Sequence, residues 1–142
     1  MTVVYYDLET TGLNNAKRQR GVQIVSIGAV TECGSTFHRY IIPTCQISKG
    51  ATSVHGITKR NGKLRKNGRR KPNALDPKSG LERFMQWLDY QGAEILVSHN
   101  NLRFDSIVLK NAMSQFGVKR PKTRKWFFAD SLELMRSKSS NL

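Results

Sequence analysis

Apolar and polar positions along the first 42 residues follow the pattern of β-strands. Residues 2–6 are short, β-branched and aromatic and lead into Asp7, which predicts a strand with a carboxylate at its C-terminal end. Residues 22–30 are apolar on both alternating faces, as in a central strand covered on each side. Residues 37–42 follow a Gly-Ser turn at 34–35, so the three segments predict an antiparallel meander.

The remaining pattern predicts helices alternating with strands. In order, it predicts a loop over 43–58, an amphipathic helix over 78–90, a strand over 93–98 ending at His99-Asn100, a helix over 104–116 and a strand over 126–129 ending at Asp130. This order indicates one α/β domain with a mixed sheet flanked by helices. Ligands of such sheets collect at the C-terminal ends of strands, where this reading places both Asp7 and Asn100.

Length and charge narrow the function. The chain has 142 residues, enough for a single domain, and 24 Lys and Arg against 10 Asp and Glu give a formal net charge of +14. Such an excess favours a polyanionic partner, with nucleic acid as the first candidate.

Basic residues concentrate in two runs. Residues 59–71 hold eight basic residues and two Asn-Gly pairs, without an apolar period, and are predicted to be a mobile basic insert loop. Residues 119–125 are predicted to be a second basic loop. The first run is also typical of a nuclear address, a role compatible with binding phosphates.

Two cysteines, no secretory leader pattern and no apolar run of about 20 residues favour an intracellular protein, with the nucleus as one candidate compartment, and give no support for a membrane role.

Candidate chemistry begins at Asp7 and Glu9. Side chains two residues apart in a strand point to the same side, so the two carboxylates repel each other unless solvent or a cation screens them. Carboxylate oxygens are the ligands that Mg²⁺ and Mn²⁺ prefer. An Asp-x-Glu pair at a strand end is nevertheless common on ordinary surfaces, so the pair alone does not establish a site.

Five segments together resemble a known family. They are DLETTGL at 7–13, IVSIGAV at 24–30, ATSVHGIT at 51–58, LVSHNNLRFDSIVL at 96–109 and ADSLELMR at 129–136. In this order they are similar to the DnaQ-like, or DEDD, 3′→5′ exonucleases of the RNase H-like fold. The Arg-Phe-Asp form at 103–105 further resembles the three-prime repair exonuclease branch.

The resemblance implies a fold, a reaction and a metal site. It implies an RNase H-like mixed sheet and hydrolysis of DNA or RNA 3′ ends to 5′-mononucleotides. It assigns two Mg²⁺ or Mn²⁺ ions to Asp7, Glu9 and Asp105, with Asp7 bridging both ions.

Four further positions are expected to contact substrate. The hydroxyls and backbone N–H groups of the segment at Thr10 and Thr11 are expected to hold a nucleotide end. The resemblance implies that Asn100 orients the strand end near Asp105. Leu13 is expected either to wedge against the terminal base or to pack in the core. His55 and His99 are expected to form structural hydrogen bonds.

The chain departs from the family at its third motif, which supplies a fourth Asp and a His or Tyr base. No His or Tyr follows His99, and the only acidic residues after Asp105 are Asp130 and Glu133. Asp130 fits a supporting position. We therefore expect a C-terminally truncated domain, weak or inactive as it stands, with a catalytically dead nucleic-acid-binding module of the same fold as the alternative.

Overall fold

The structure, a computed structural model, describes residues 2–12, 21–121 and 125–131. In chain order its elements are β1 (Thr2–Thr10), β2 (Ile24–Thr31), β3 (Thr36–Tyr40), α1 (Lys49–His55), β4 (Ile57–Arg60), β5 (Lys63–Lys66), β6 (Arg69–Arg70), α2 (Pro77–Gln91), β7 (Ala93–Ser98), a π-helical turn (Asn101–Asp105), α3 (Ser106–Gln115) and β8 (Phe127–Asp130).

The main sheet has five strands in the order β3-β2-β1-β7-β8. Strands β1, β2 and β3 pair antiparallel, whereas β7 pairs parallel with β1 and β8 parallel with β7. This topology confirms the predicted meander and the predicted mixed sheet. Because β1, β7 and β8 run parallel, their C-terminal ends lie at one edge of the sheet.

Alternate side chains of β1 point to opposite faces of the sheet, one set toward the core and the other toward the candidate site. Val4, Tyr6 and Leu8 are buried against α2 and α3, while Asp7 and Glu9 lie on the opposite face. The α2 stripe is buried as its spacing predicts: Leu81, Phe84, Met85 and Leu88. Burial of these side chains holds β1 in one register, because a slip of one residue would move both carboxylates into the core.

The sequence pattern predicted the C-terminal end of β1 at the wrong residue. The strand continues to Thr10, so Asp7 and Glu9 lie within it and not at its end. The physical reason is continued pairing with β2, in which Asp7 lies opposite Gly28 and Glu9 opposite Ser26. Pairing shifts at an irregularity only between Glu9 and Thr10.

The loop predicted over 43–58 contains helix α1. Ser48 caps its N-terminus by accepting a hydrogen bond from the Ala51 N–H at 3.0 Å. Gly56 ends it in the left-handed conformation, with a φ of 74°. The helix is short and buries no residue completely, so it lacks the apolar stripe on which the sequence prediction depended.

The insert predicted as a mobile loop at 59–71 is instead a three-stranded antiparallel sheet of β4, β5 and β6, which we call the basic ribbon (residues 57–70). Its turns fall on the two Asn-Gly pairs, Asn61-Gly62 and Asn67-Gly68, where all four residues have positive φ. Positive φ at both central residues is the signature of tight two-residue hairpin turns.

A small second core anchors the ribbon. Leu64 and Ile57 are each 1% exposed and pack with Val25 of β2. A single leucine within a basic run thus fixes the ribbon to the main sheet, which a count of charges does not reveal. Within the part of the chain that the structure describes, no helix is long and apolar enough to cross a bilayer.

Gly80 of α2 lies close against the segment after β3. A Cβ atom at Gly80 would lie 2.8 Å from both Cγ1 and Cδ1 of the buried Ile41, whereas nothing lies within 4 Å of one at Gly50 in α1. We predict that Gly80→Ala lowers the free energy of unfolding by about 1–3 kcal/mol through overpacking. Gly50→Ala, the control, should raise it by up to about 1 kcal/mol through helix propensity. Urea denaturation measures both, and a stabilised Gly80→Ala would contradict the packing.

Candidate active site

Strand geometry exposes the first two carboxylates. Strand β7 last pairs with β1 at Tyr5 and Val97, so Asp7 and Glu9 project beyond the end of β7. Asp7 is exposed and Glu9 half-buried. Both face the space that the chain enters after Ser98.

The turn after β7 brings in the third carboxylate. Asn100 adopts a φ of 60°, and the π-helical turn Asn101–Asp105 follows. Asp105 ends that turn and is only 5% exposed, with the Leu8 backbone hydrogen-bonded to its carboxyl. π-helical turns within helices occur often at functional sites, and this one directs Asp105 at β1. We call Asp7, Glu9 and Asp105 the acidic cluster.

The three charges of the acidic cluster interact. Burial and the neighbouring Asp7 charge raise the pKa of Asp105 from 3.8 to about 7, with a smaller rise from Glu9. Burial also raises the pKa of Asp7. It raises the pKa of Glu9 too, where Asp7 adds to the effect and His55 and Lys66 oppose it. Like charges held this close favour a bound cation.

The side chains of the acidic cluster are not arranged as the ligands of a single metal ion. Among residues 2–12, 21–121 and 125–131, no three His, Cys, Asp or Glu side chains are placed to hold one metal ion together. The chemistry of the donors fits a hard divalent cation, because all three are carboxylates with raised pKa values. Asp7 and Glu9 are the two of these carboxylates that solvent reaches.

Ser98 adds a buried polar atom to this site. Its hydroxyl lies near enough to Asp105 to lower the pKa of that carboxyl, but not in hydrogen-bonding geometry, and its Oγ has no hydrogen-bond partner. Buried hydroxyls are normally paired. Ser98 therefore adds a polar atom beside the Asp105 carboxyl.

Asp130 holds the turn that carries Asp105. Its Oδ1 accepts the Asn100 N–H at 2.9 Å and its Oδ2 accepts the Leu102 N–H at 3.2 Å. Asp130 is 5% exposed at the end of β8. These bonds agree with the supporting role expected for Asp130.

A cleft of about 450 Å³ adjoins the acidic cluster. Glu9 and Thr10 line one side, and Phe104 and α1 line the others, including the 82% exposed Val54. The sequence prediction missed α1 as a wall of this cleft, although Ser48 and Gly56 were available as cap signals. The volume lies within the range of small-molecule sites.

The family follows from comparison with known proteins. Residues 4–142 match the model of the exonuclease family RNase_T. The chain belongs to this exonuclease family.

Individual relatives agree with the assignment of an exonuclease domain of the DnaQ type. The DNA polymerase III subunit epsilon of Pasteurella multocida is 34% identical over 109 residues, covering 72% of this chain and 38% of that protein. A zinc-bound E. coli ExoI–ssDNA complex matches with a TM-score of 0.75 at 19% identity, over 97% of this chain and 29% of that one. The nuclease domain of 3′hExo, a DEDDh family member bound to rAMP, matches with a TM-score of 0.64 at 18% identity, over 99% of this chain and 70% of that one.

These likenesses confirm the RNase H-like fold of the exonuclease domain. They also show that the domain spans about two fifths of the P. multocida relative and less than a third of the E. coli chain.

His55 supports the exonuclease domain structurally, as expected. Its Nδ1 accepts the Ile57 N–H at 3.0 Å, so its Nε2 carries the proton and donates to the Thr10 carbonyl at 2.8 Å. This pair of bonds ties α1 to the end of β1. His99 lies 3.3 Å from the Ser131 hydroxyl through its Nδ1, which also agrees with a structural role.

The four predicted substrate contacts have different placements in the exonuclease domain. Thr10 lines the cleft, although its hydroxyl donates to the Gly12 carbonyl at 3.0 Å. Thr11 is buried and its hydroxyl accepts the Gln23 N–H at 3.0 Å, which argues against substrate contact by that hydroxyl. Asn100 sits in the turn that leads to Asp105, and Leu13 lies outside the described residues.

The raised pKa of Asp105 predicts a pH dependence of stability. The folded chain binds the Asp105 proton more tightly than the unfolded chain, so stability is present below pH 3.8 and is lost as the pH rises toward about 7. In EDTA, we predict a loss on the order of 2–4 kcal/mol from this group across that window.

Asp105→Asn should flatten this dependence, as followed by urea denaturation at each pH. Glu32→Gln, an exposed change in the turn between β2 and β3, serves as the control. An unchanged pH profile in Asp105→Asn would contradict the burial of this carboxyl.

Proposed function

We propose that this exonuclease domain hydrolyses the 3′ ends of nucleic acid to 5′-mononucleotides, with Asp7, Glu9 and Asp105 holding two divalent cations, Mg²⁺ or Mn²⁺. The observation that carries the proposal is the burial of Asp105 beside two further carboxylates, one of which, Glu9, lines a cleft. When bound, such cations supply an activated water and neutralise charge on the leaving oxygen.

The cleft suits the end of a strand. Its walls at Val54 and Phe104 are apolar and would contact the face of a terminal base, while Glu9 and Thr10 would lie toward the sugar. The ssDNA in the E. coli ExoI complex and the rAMP in the 3′hExo complex support a nucleic-acid ligand. Lys66 lies within electrostatic range of Glu9 and would help to balance the phosphate charge.

We further propose that residues 1–142 alone react slowly. Asp130 commits both carboxyl oxygens to backbone N–H groups, so it does not replace the fourth acidic residue of the family. No His or Tyr follows His99 in the sequence to serve as a general base. General base catalysis is typically worth about 10²–10⁴-fold, and its loss would reduce the rate accordingly. The same observation favours the second candidate function, a binding module without catalysis.

Cleavage of an end-labelled oligonucleotide tests these two functions. With a 3′ label and Mg²⁺ or Mn²⁺, we predict slow release of labelled mononucleotide. Asp7→Ala should lower this rate by at least about 100-fold, because it removes the residue expected to bridge both ions. Glu32→Ala, an exposed change away from the cluster, should leave the rate unchanged.

A 5′-labelled copy of the oligonucleotide shows the direction of attack, and DNA and RNA copies show the preferred sugar. Salt-sensitive binding without any cleavage by the wild type would contradict the exonuclease proposal and favour the binding module.

A further inference from the structure

A second concave surface lies between the edge strand β3 and the end of the basic ribbon. Its volume is about 610 Å³. We call it the β3 groove, and it is lined by His38, Arg39, Tyr40, Arg70, Lys71 and residues 72–74. None of these residues belongs to the cleft beside the acidic cluster.

The β3 groove is positively charged. Arg39, Arg70 and Lys71 line it, and no acidic residue does. Because no carboxylate lies among the residues that line the groove, these three cations are not neutralised within it. Unpaired cations along a groove attract a polyanion.

Two rings stand among these cations. The His38 and Tyr40 rings meet edge to face, with centroids 4.7 Å apart and an interplanar angle of 78°. The Lys71 ammonium lies 5.2 Å from the centre of the Tyr40 ring. His38 is exposed, and burial of part of its ring together with Lys66, Lys71 and Arg39 lowers its pKa, which favours a neutral imidazole. Cations beside aromatic faces are the combination that binds single-stranded nucleic acid.

Sheet register connects the groove to the acidic cluster. Asp7 lies opposite Gly28, which lies opposite His38, and the three therefore share one face of the sheet. Two strand spacings separate Asp7 from His38, a distance of about 10 Å. Gly28, between them, has no side chain to obstruct a strand. Lys66 is within electrostatic range of both Glu9 and His38, so positive charge continues along this path.

We propose that the β3 groove binds an internal nucleotide of a single strand whose 3′ end lies at the acidic cluster, with Arg70 and Lys71 on the phosphates and the His38 ring against a base. The inference rests on the proposed exonuclease function and adds to it a second contact with the substrate. It specifies a single strand because the bases of a duplex are stacked and cannot reach the ring without being flipped out.

Binding measurements on the full chain test the groove. The probe is a fluorescent single strand of about ten nucleotides, followed by anisotropy in EDTA so that it is not cleaved. Arg70→Gln/Lys71→Gln should weaken binding about tenfold or more and reduce the salt slope by about 1–2. The charge-matched control is Lys78→Gln/Arg83→Gln. These two residues lie on α2, which packs against the other face of the sheet, so the control should change the affinity and the salt slope much less.

His38→Ala separates base contact from charge. It should weaken binding of the strand about fivefold or more but leave the salt slope unchanged, because it removes stacking and not a cation. Inorganic polyphosphate, which has no bases, should compete equally well for the wild type and for His38→Ala. Thermal unfolding of each variant verifies that the fold is intact.

Unchanged affinity for the single strand in both groove variants would overturn the proposed binding role of the β3 groove. An equal loss of affinity in the α2 control would do the same. If the wild type binds the strand with these mutational effects but releases no mononucleotide with metal present, the exonuclease proposal fails while the groove stands.

Discussion

The organisation of this domain depends on keeping the Asp105 carboxyl buried next to two other carboxylates. Burial and repulsion from Asp7 raise its pKa to about 7, so its protonated and ionised forms are about equally populated at neutral pH. The fold tolerates this because independent elements fix the geometry. Strand β1 is held by its buried alternate residues, and the turn before Asp105 is held by the Asp130 carboxylate. Electrostatic strain placed at one rim of a stable sheet is typical of a functional site.

The rest of the molecule balances this negative centre with positive surfaces. The formal net charge is +14, and eight basic residues fall within residues 59–71. The basic ribbon holds most of them on regular strands, anchored by Leu64. Lys66 lies within electrostatic range of Glu9, and Arg70 and Lys71 line the β3 groove. Positive charge on these surfaces attracts phosphate groups.

The local sequence pattern was sufficient to predict the strands of the main sheet and helix α2, because apolar periodicity indicates directly which side chains are buried. It also placed Asp7 and Glu9 on one face. Pattern failed where few buried side chains determine the structure. Helix α1 depends on caps, and the basic ribbon depends on Leu64 and two Asn-Gly turns. The proximity of Asp105 to Asp7, nearly a hundred residues apart, was expected only from family resemblance, because no local pattern encodes it.

We propose that Asp7, Glu9 and Asp105 bind divalent cations as one unit. The direct measurement is Mn²⁺ binding to the unliganded chain at about pH 8, where Asp105 is ionised, by electron paramagnetic resonance of free Mn²⁺. We expect saturable binding by the wild type that Asp7→Asn and Asp105→Asn each weaken at least about tenfold. Equal Mn²⁺ affinity in the wild type and Asp105→Asn would contradict it.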